Sequence, residues 1–183
     1  MTIEIGSTIP SEIPLFHLPP AIEGACSFAP EKIYLNKIEK PYVIVVVPGA
    51  FTPTCSERHI PAFLTTSSIN LLKEKGIKQV LILSVDSPFI TRAWGDSLVS
   101  DKKEIKDELS NGYIKFISDA GAEWLSSLGL VGEPNDVFAK NGLRGLRSAI
   151  IVNKEGKIDY LGIDTQKGVV EKSGIEGVLK ALD

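Results

Sequence analysis

Cysteine is scarce in this sequence, which has only Cys26 and Cys55 among its 183 residues. A chain of this length buries about 70% of its unfolded surface, so its core needs no disulfide staples. The two thiols are therefore either inert residues of the core or working thiols. Their number alone favours the inert alternative, because unpaired cysteine is among the most buried residue types.

An excess of charge is also missing. The chain has 20 basic and 23 acidic residues, and this balance gives no reason to expect nucleic acid or an anionic membrane as a partner. Its apolar runs are far shorter than the roughly 18 residues that a membrane helix needs. The N-terminus has neither the basic region nor the apolar core of a signal peptide. We therefore expect a cytoplasmic protein.

Patterns that hold cofactors are missing too. The cysteines and the two histidines, His17 and His59, do not occur at the spacings of zinc sites. The glycines form no phosphate-binding loop. Cys55 is followed by Ser-Glu-Arg and not by a second cysteine three positions later, which argues against a disulfide oxidoreductase of the thioredoxin type. The sequence thus predicts no metal and no cofactor.

The sequence does contain an alternation of apolar and amphipathic segments. Residues 1–40 are rich in proline and predict an N-terminal extension of short strands and loops that carries Cys26. The elements predicted after it are strand 43–47, helix 54–75 with a bend or restart near Pro61, strand 80–85, helices 88–100 and 103–109, strand 114–117, helix 120–128, a hairpin of strands 147–152 and 157–163, and helix 168–182. Ser87 and Asp119 are predicted N-caps. This order predicts an α/β, thioredoxin-like fold in one domain, residues 1–183, with a mixed central sheet flanked by helices.

Cys55 lies at a predicted strand-to-helix turn, shortly after the apolar run Val43–Val47. The first turn of a helix has unpaired backbone N–H groups and the positive end of the helix dipole. Both favour a thiolate over a thiol, and the thiolate is the nucleophile. This setting reverses the ranking from the cysteine count and indicates a working thiol.

The residues around this thiol form a longer motif. Pro48, Thr52 and Cys55 have the spacing P-x-x-x-T-x-x-C of the peroxiredoxin active-site motif. Four segments resemble the peroxiredoxin-five subfamily in particular: Pro-Gly-Ala-Phe-Thr-Pro-Thr-Cys-Ser at 48–56, His-Ile-Pro at 59–61, Ser-Val-Asp-Ser-Pro-Phe at 84–89 and Ala-Trp-Gly at 93–95. The similarity extends from about residue 40 to the C-terminus.

The resemblance implies a thiol-specific peroxidase that reduces alkyl hydroperoxides and hydrogen peroxide. In this family a peroxidatic thiolate becomes a sulfenic acid, a resolving thiol condenses with it to a disulfide, and thioredoxin reduces the disulfide. Cys55 occupies the peroxidatic position. The place of Cys26 before the active-site strand resembles fungal alkyl hydroperoxide reductases, which implies that Cys26 resolves, in a homodimer with an intersubunit Cys26–Cys55 disulfide. The alternative is that an external thiol resolves.

A disulfide between Cys26 and Cys55 would require the predicted helix to change conformation. Bridged cysteines have Cα atoms within about 7 Å of each other. We therefore expect residues 53–58 to unwind between the reduced and the oxidised state, so that the sulfur of Cys55 is presented to Cys26.

The resemblance also implies roles for residues near the thiol. Arg147 opens a late apolar strand, where the family places its active-site arginine. A guanidinium there would hold both the thiolate and the peroxide oxygen on which negative charge develops. The hydroxyl of Thr52 can donate to and accept from a peroxide oxygen at once. The predicted substrate-binding residues are Pro48, Thr52, Thr54, Cys55 and Arg147, with the backbone N–H groups of Thr54 and Cys55 as further donors.

Other nearby residues have competing interpretations. Arg144 competes with Arg147, which we rank higher because it aligns with the start of the strand. His59, four residues after the cysteine, invites a Cys-His dyad of the protease kind, but we interpret it as structural because no third group is evident to orient it. Trp94 and Phe51 are predicted to be packing residues, with the peroxide entrance or a dimer contact as alternatives.

Three other functions are open at this point. The first is a peroxidase that uses glutathione or glutaredoxin in place of thioredoxin. The second is a thiol redox sensor or relay that oxidises a partner protein. The third is a binding module with an inactive site, against which the intact set of Pro48, Thr52, Cys55 and Arg147 argues.

Overall fold

The computed structural model describes residues 3–19, 29–132 and 142–183. Their strands are Leu15–His17 (β1), Glu31–Ile33 (β2), Tyr42–Val46 (β3), Gln79–Ser84 (β4), Ile114–Ser118 (β5), Ser148–Val152 (β6) and Ile158–Ile163 (β7). Their α-helices are Ile60–Phe63 (α1), Thr66–Glu74 (α2), Pro88–Leu98 (α3), Lys103–Ser110 (α4), Glu123–Leu128 (α5) and Ile175–Ala181 (α6). A 3-10 helix, Leu35–Lys37, and a π-helical turn, Cys55–His59, complete the set for these residues.

The strands form one sheet in the order β2-β1-β5-β4-β3-β6-β7. The three strands β3, β4 and β5 are parallel, whereas β6, β7, β1 and β2 join the sheet by antiparallel pairing. The predicted α/β fold with a mixed central sheet is confirmed. The N-terminal extension supplies β1 and β2, which lengthen the sheet beyond β5.

The strand that leads to Cys55 is the best-buried part of the sheet. All five residues of β3 are 0% exposed, because side chains pack on both of its faces. On one face, Val43 and Val45 belong to a core that includes residues of α2, α3 and α6. On the other face, Ile44 and Val46 pack in a core that includes α5. The site is therefore built on a firmly held strand.

The strand register explains where the site forms. The carboxyl ends of β3, β4 and β7 lie at the same edge of the sheet as the amino end of β6. The segments directly beyond these ends carry Cys55, Asp86, Asp164 and Arg147. Residues far apart in sequence are thereby brought to one edge, as is typical of open α/β sheets.

The helix predicted for 54–75 is interrupted later than expected. The chain leaves the helical conformation at Leu64, whose φ and ψ are −93° and 51°, and not at Pro61, which lies in the first turn of α1. The next helix, α2, has Thr65 as its N-cap, whose side chain accepts a hydrogen bond from the N–H of Ser68. Pro61 follows the π-helical turn Cys55–His59 within a helical stretch that begins at Pro53, and the helix continues past it to Phe63.

The C-terminal helix is shorter than its predicted range of 168–182. It begins only at Ile175. Before it, the carboxylate of Asp164 accepts hydrogen bonds from the backbone N–H groups of Glu171, Lys172 and Ser173. A side chain that accepts from these groups offers the backbone an alternative to the helix, which explains the late start.

Two predicted helix caps have different outcomes. Ser87 is the N-cap of α3 and accepts from the N–H of Ile90, as expected. Asp119 accepts from the N–H groups of Trp124 and Leu125 in α5, but the helix begins at Glu123 and not at residue 120. No helix of the described ranges is both long and apolar enough to span a membrane.

Candidate active site

Cys55 lies inside the protein at the start of a helix. Its side chain is 0% exposed. The helical conformation begins at Pro53, and the N–H of Ser56 makes a helical hydrogen bond to the carbonyl of Thr52, at 2.9 Å. The N–H groups of Thr54 and Cys55 come before this bond and belong to the first turn, which is open to an anion.

Cys55 also opens a π-helical turn. The N–H of Ile60 bonds to the carbonyl of Cys55, five residues back, in place of the usual four. Such turns are rare and occur often at functional sites. The apolar pattern of the sequence did not reveal it, because one widened turn scarcely alters helical periodicity.

Arg147 reaches the thiol from the neighbouring strand. It directly precedes β6, is 8% exposed, and donates from Nη2 to the Sγ of Cys55 at 3.5 Å. A permanently charged donor therefore lies against the sulfur. The structure thus brings together the two residues that the sequence analysis paired.

Arg144, the competing arginine, has a different partner. Its Nη1 lies 3.2 Å from the Oδ1 of Asp86, in the segment after β4. The other oxygen of Asp86 accepts from the N–H of Ala50 at 2.7 Å and from the hydroxyl of Ser84 at 3.0 Å. Asp86 therefore fastens the turn that leads from β3 to Cys55. Sequence reasoning missed this role, although an aspartate after a buried strand was a signal for it.

Thr52 is placed for only part of its predicted role. Its hydroxyl donates to the carbonyl of Gly49 at 3.0 Å. The proton is thereby committed, so the oxygen can accept a hydrogen bond from a peroxide but does not donate to it at the same time. Pro48 and Thr54 are both half-buried.

His59 has orienting partners that the sequence analysis did not find. It is 0% exposed, its Nδ1 lies 2.8 Å from the Nη1 of Arg147, and its Nε2 lies 2.9 Å from the carbonyl of Ser173. Because arginine can only donate, Nδ1 of His59 accepts this hydrogen bond. The ring proton is therefore on Nε2, which donates to the carbonyl of Ser173. Burial lowers the pKa of His59 to about 4, so the ring is neutral at pH 7.

This geometry gives His59 a role other than that of a catalytic base. The hydrogen bonds of the described residues join His59 to Arg147 and Ser173, and none joins it to the thiol. The Nδ1 lone pair that a base would use is occupied by the guanidinium. The structural interpretation of His59 agrees with this arrangement, but the reason given for it, the lack of an orienting group, was wrong.

The two aromatic residues differ in their surroundings. Trp94 is 1% exposed, donates from Nε1 to the hydroxyl of Ser56 at 3.0 Å, and packs edge-on against Phe116. It therefore anchors the helix that carries the thiol. Phe51 is 55% exposed, so the prediction that it is a packing residue was wrong. Cys26 lies outside the described residues.

Comparisons with known proteins identify the family of this chain. The family model Redoxin matches residues 18–179. Peroxiredoxin AHP1 of Chaetomium thermophilum is 33% identical over 184 residues, which cover 98% of this chain and 95% of that protein. A putative peroxisomal peroxiredoxin of Lipomyces kononenkoae is 39% identical over 145 residues, covering 79% of this chain and 76% of that protein.

A solved structure extends the similarity to three dimensions. Reduced Prx3 of Vibrio vulnificus, determined in complex with H2O2, is 28% identical, has a TM-score of 0.79, and is matched over 100% of both chains. Its fold is that of this chain, with the mixed sheet described above. The chain therefore belongs to the Redoxin family and is a peroxiredoxin, a peroxidase of the oxidoreductase class.

Proposed function

We propose that this peroxiredoxin reduces alkyl hydroperoxides and hydrogen peroxide with the thiolate of Cys55. The sulfur attacks the terminal oxygen of the peroxide, the O–O bond breaks, and Cys55 becomes a sulfenic acid. The leaving oxygen takes a proton from water and departs as an alcohol or, from hydrogen peroxide, as water. The observation that carries the proposal is the 3.5 Å hydrogen bond from Arg147 to the sulfur of Cys55.

The neighbouring groups can stabilise the charge that moves during this step. Negative charge passes from the sulfur to the leaving oxygen, and Arg147 can donate to both. The oxygen of Thr52 can accept the hydroxyl proton of the peroxide, because its own proton is held by Gly49. The N–H groups of Thr54 and Cys55 add donors from the first helical turn.

We further propose that Cys26 resolves the sulfenic acid and that thioredoxin reduces the resulting disulfide. Cys26 is the only other cysteine of the sequence, so a disulfide within or between copies of this chain requires it. Because Cys55 is fully buried, the turn around it has to open before the sulfurs meet. This is the unwinding of residues 53–58 that the sequence analysis expects.

We also propose that the enzyme acts as a homodimer with an intersubunit disulfide. Phe51 and Phe89 support this, since they are 55% and 51% exposed. They follow the carboxyl ends of the neighbouring strands β3 and β4, at the edge of the sheet where the thiol lies. Exposed aromatic side chains beside a site are common where a second subunit packs.

Peroxide consumption by variants tests the catalytic assignment. Cys55→Ser is expected to abolish turnover with every reductant. Cys26→Ser is expected to consume one equivalent of peroxide and then stop with thioredoxin. On a non-reducing gel, one equivalent of peroxide should give a dimer band that requires both cysteines. Full turnover by Cys26→Ser would show instead that an external thiol resolves.

The same assay separates the alternatives for the reductant and the role. Thioredoxin, glutathione and glutathione with glutaredoxin are supplied in parallel, and thioredoxin is expected to give the fastest turnover. Faster turnover with glutaredoxin would favour the glutathione-dependent alternative. Slow turnover with all three, together with trapped mixed disulfides to one partner protein, would favour a redox sensor or relay.

A further inference from the structure

The segment between β7 and α6 is organised by one carboxylate. Asp164 is 9% exposed and accepts from the N–H groups of Glu171, Lys172 and Ser173, at 3.0–3.1 Å, and from the hydroxyl of Ser173 at 2.6 Å. Burial alone would raise the pKa of Asp164, but these hydrogen bonds together lower it. The group is therefore an ionised anchor for the segment.

This anchor is connected to the active-site arginine by a closed circuit of hydrogen bonds. Asp164 holds Ser173, and the carbonyl of Ser173 accepts from the Nε2 of His59 at 2.9 Å. The Nδ1 of His59 accepts from the Nη1 of Arg147 at 2.8 Å. The circuit closes where the N–H of Asp164 donates to the carbonyl of Arg147 at 3.0 Å.

We propose that Asp164 and Ser173 are positioning residues, which act through His59 to aim the guanidinium of Arg147 at Cys55. This inference rests on the proposed roles of Cys55 and Arg147. Neither Asp164 nor Ser173 bonds to the sulfur among the described contacts, so neither is a catalytic residue.

The chemistry of the circuit explains how Asp164 and Ser173, which do not touch the sulfur, can affect its reaction. An arginine side chain has many rotamers, and fixing one of them costs entropy. The carbonyl of Ser173 accepts a hydrogen bond from the Nε2–H of His59, which fixes the tautomer and leaves the Nδ1 lone pair for Arg147. With Nη1 held in this way, Nη2 of the same rigid fork points at the sulfur. Stabilisation of a transition state depends on donors that are in place beforehand.

Two reagents separate positioning from mere structural support. Peroxide oxidation of Cys55 needs a correctly placed Arg147, whereas alkylation by iodoacetamide needs only an accessible thiolate. Both rate constants are measured on the full-length reduced protein, at a pH where the thiolate fraction no longer rises. A loosened site would expose the buried thiol and speed alkylation. A misaimed guanidinium would slow the reaction with peroxide and leave alkylation unchanged.

The test uses Asp164→Asn and Ser173→Ala. Each is expected to lower the second-order rate constant with hydrogen peroxide about three- to tenfold, the effect of one weakened hydrogen bond, with alkylation within about twofold of wild type. Asp119→Asn is the matched control, because Asp119 is also buried and also accepts from two backbone N–H groups. It should change neither rate constant.

A double-mutant cycle with Arg147→Ala completes the test. In that background, Asp164→Asn should have no further effect on the peroxide rate constant, because the guanidinium that it positions is gone. Unchanged peroxide rates in both single variants would overturn the inference, as would equal effects with and without Arg147. Faster alkylation would also overturn it in favour of structural support.

Failure of the proposed function gives a different result. If Arg147→Ala itself left the peroxide rate constant unchanged, the proposed role of Arg147 would be wrong. If Arg147→Ala slowed the reaction but Asp164→Asn and Ser173→Ala did not, only the positioning role of Asp164 and Ser173 would be wrong.

Discussion

Arg144 and Arg147 are three positions apart and lie at the same edge of the sheet, but their surroundings differ. Arg147 lies against Cys55 and His59 and is 8% exposed, whereas Arg144 pairs with Asp86 and a quarter of its side chain is exposed. The first arginine faces the reacting sulfur, and the second braces the turn that leads to it. Two arginines close together in sequence therefore have different roles, because the guanidinium of Arg147 faces the sulfur of Cys55 and that of Arg144 faces Asp86.

The largest expected effect on the peroxide rate constant distinguishes Arg147 from Arg144. Replacing Arg147 by alanine is expected to lower the second-order rate constant for peroxide about 100- to 1,000-fold, the usual loss for a donor to developing charge. Arg144→Ala should cost less than about tenfold, since its ion pair with Asp86 braces the turn and does not touch the sulfur. Stopped-flow measurements of Cys55 oxidation provide both values. Equal losses would erase the distinction between the two arginines.

Acid should weaken the Arg147 region through His59. The pKa of His59 is about 4 in the folded protein against an ordinary 6.5, so the unfolded chain binds the proton more readily. Its contribution to stability is therefore complete above pH 6.5 and is lost as the pH falls towards 4. The loss amounts to about 3 kcal/mol at most.

Urea unfolding across this pH range checks the prediction. The free energy of unfolding of wild type should fall more steeply below pH 6.5 than that of His59→Gln, which has no group that titrates there. The difference between the two curves isolates His59 from other groups, such as His17 and Asp164, whose pKa values are also shifted. Parallel curves would contradict the buried neutral state of His59.

The Arg144 region should respond in stability more than in chemistry. Asp86→Asn keeps the size of the side chain but weakens its bonds to Arg144 and the N–H of Ala50. We expect a loss of about 1–2 kcal/mol in the free energy of unfolding and a loss of less than about tenfold in the peroxide rate constant. A loss as large as that of Arg147→Ala would assign Asp86 to the reacting region instead.

The smallest effect concerns the helix that carries the thiol. Trp94→Phe removes the bond to Ser56, about 1 kcal/mol, and should speed iodoacetamide alkylation of Cys55 about fivefold by making local opening easier. Trp124→Phe is the matched control, since it removes a similar bond, to the carbonyl of Pro10, on the opposite side of the sheet. Alkylation of that control should match wild type. Equal increases in both variants would indicate global loosening.

The features predictable from sequence were those encoded locally. The apolar run Val43–Val47 predicted a strand buried on both faces, which the structure has as β3, Tyr42–Val46. Ser87 before Pro88 located the start of α3. The motif of Pro48, Thr52 and Cys55 identified the site because its spacing is a local property. Arg147 was found by resemblance and not by physics, since nothing in its neighbours distinguishes it from Arg144.

The features that escaped prediction depend on tertiary contacts. The partners of His59 lie 88 and 114 positions away, so no pattern around the histidine announces them. The late start of α6 has the same origin, because the carboxylate of Asp164 competes for N–H groups that the helix pattern assigned to the helix. The hydrogen bond from the hydroxyl of Thr52 to the carbonyl of Gly49 depends on the conformation of a tight turn, which the sequence does not specify.

One measurement tests the central claim most directly. Reduced wild-type protein and Arg147→Ala are mixed with one equivalent of hydrogen peroxide in the presence of dimedone, and the labelled peptides are identified by mass spectrometry over time. We predict that the sulfenic-acid adduct forms on Cys55, and that it forms about 100- to 1,000-fold more slowly without Arg147. An adduct that appears first on Cys26, or at the same rate in both proteins, would contradict a thiolate at Cys55 activated by Arg147.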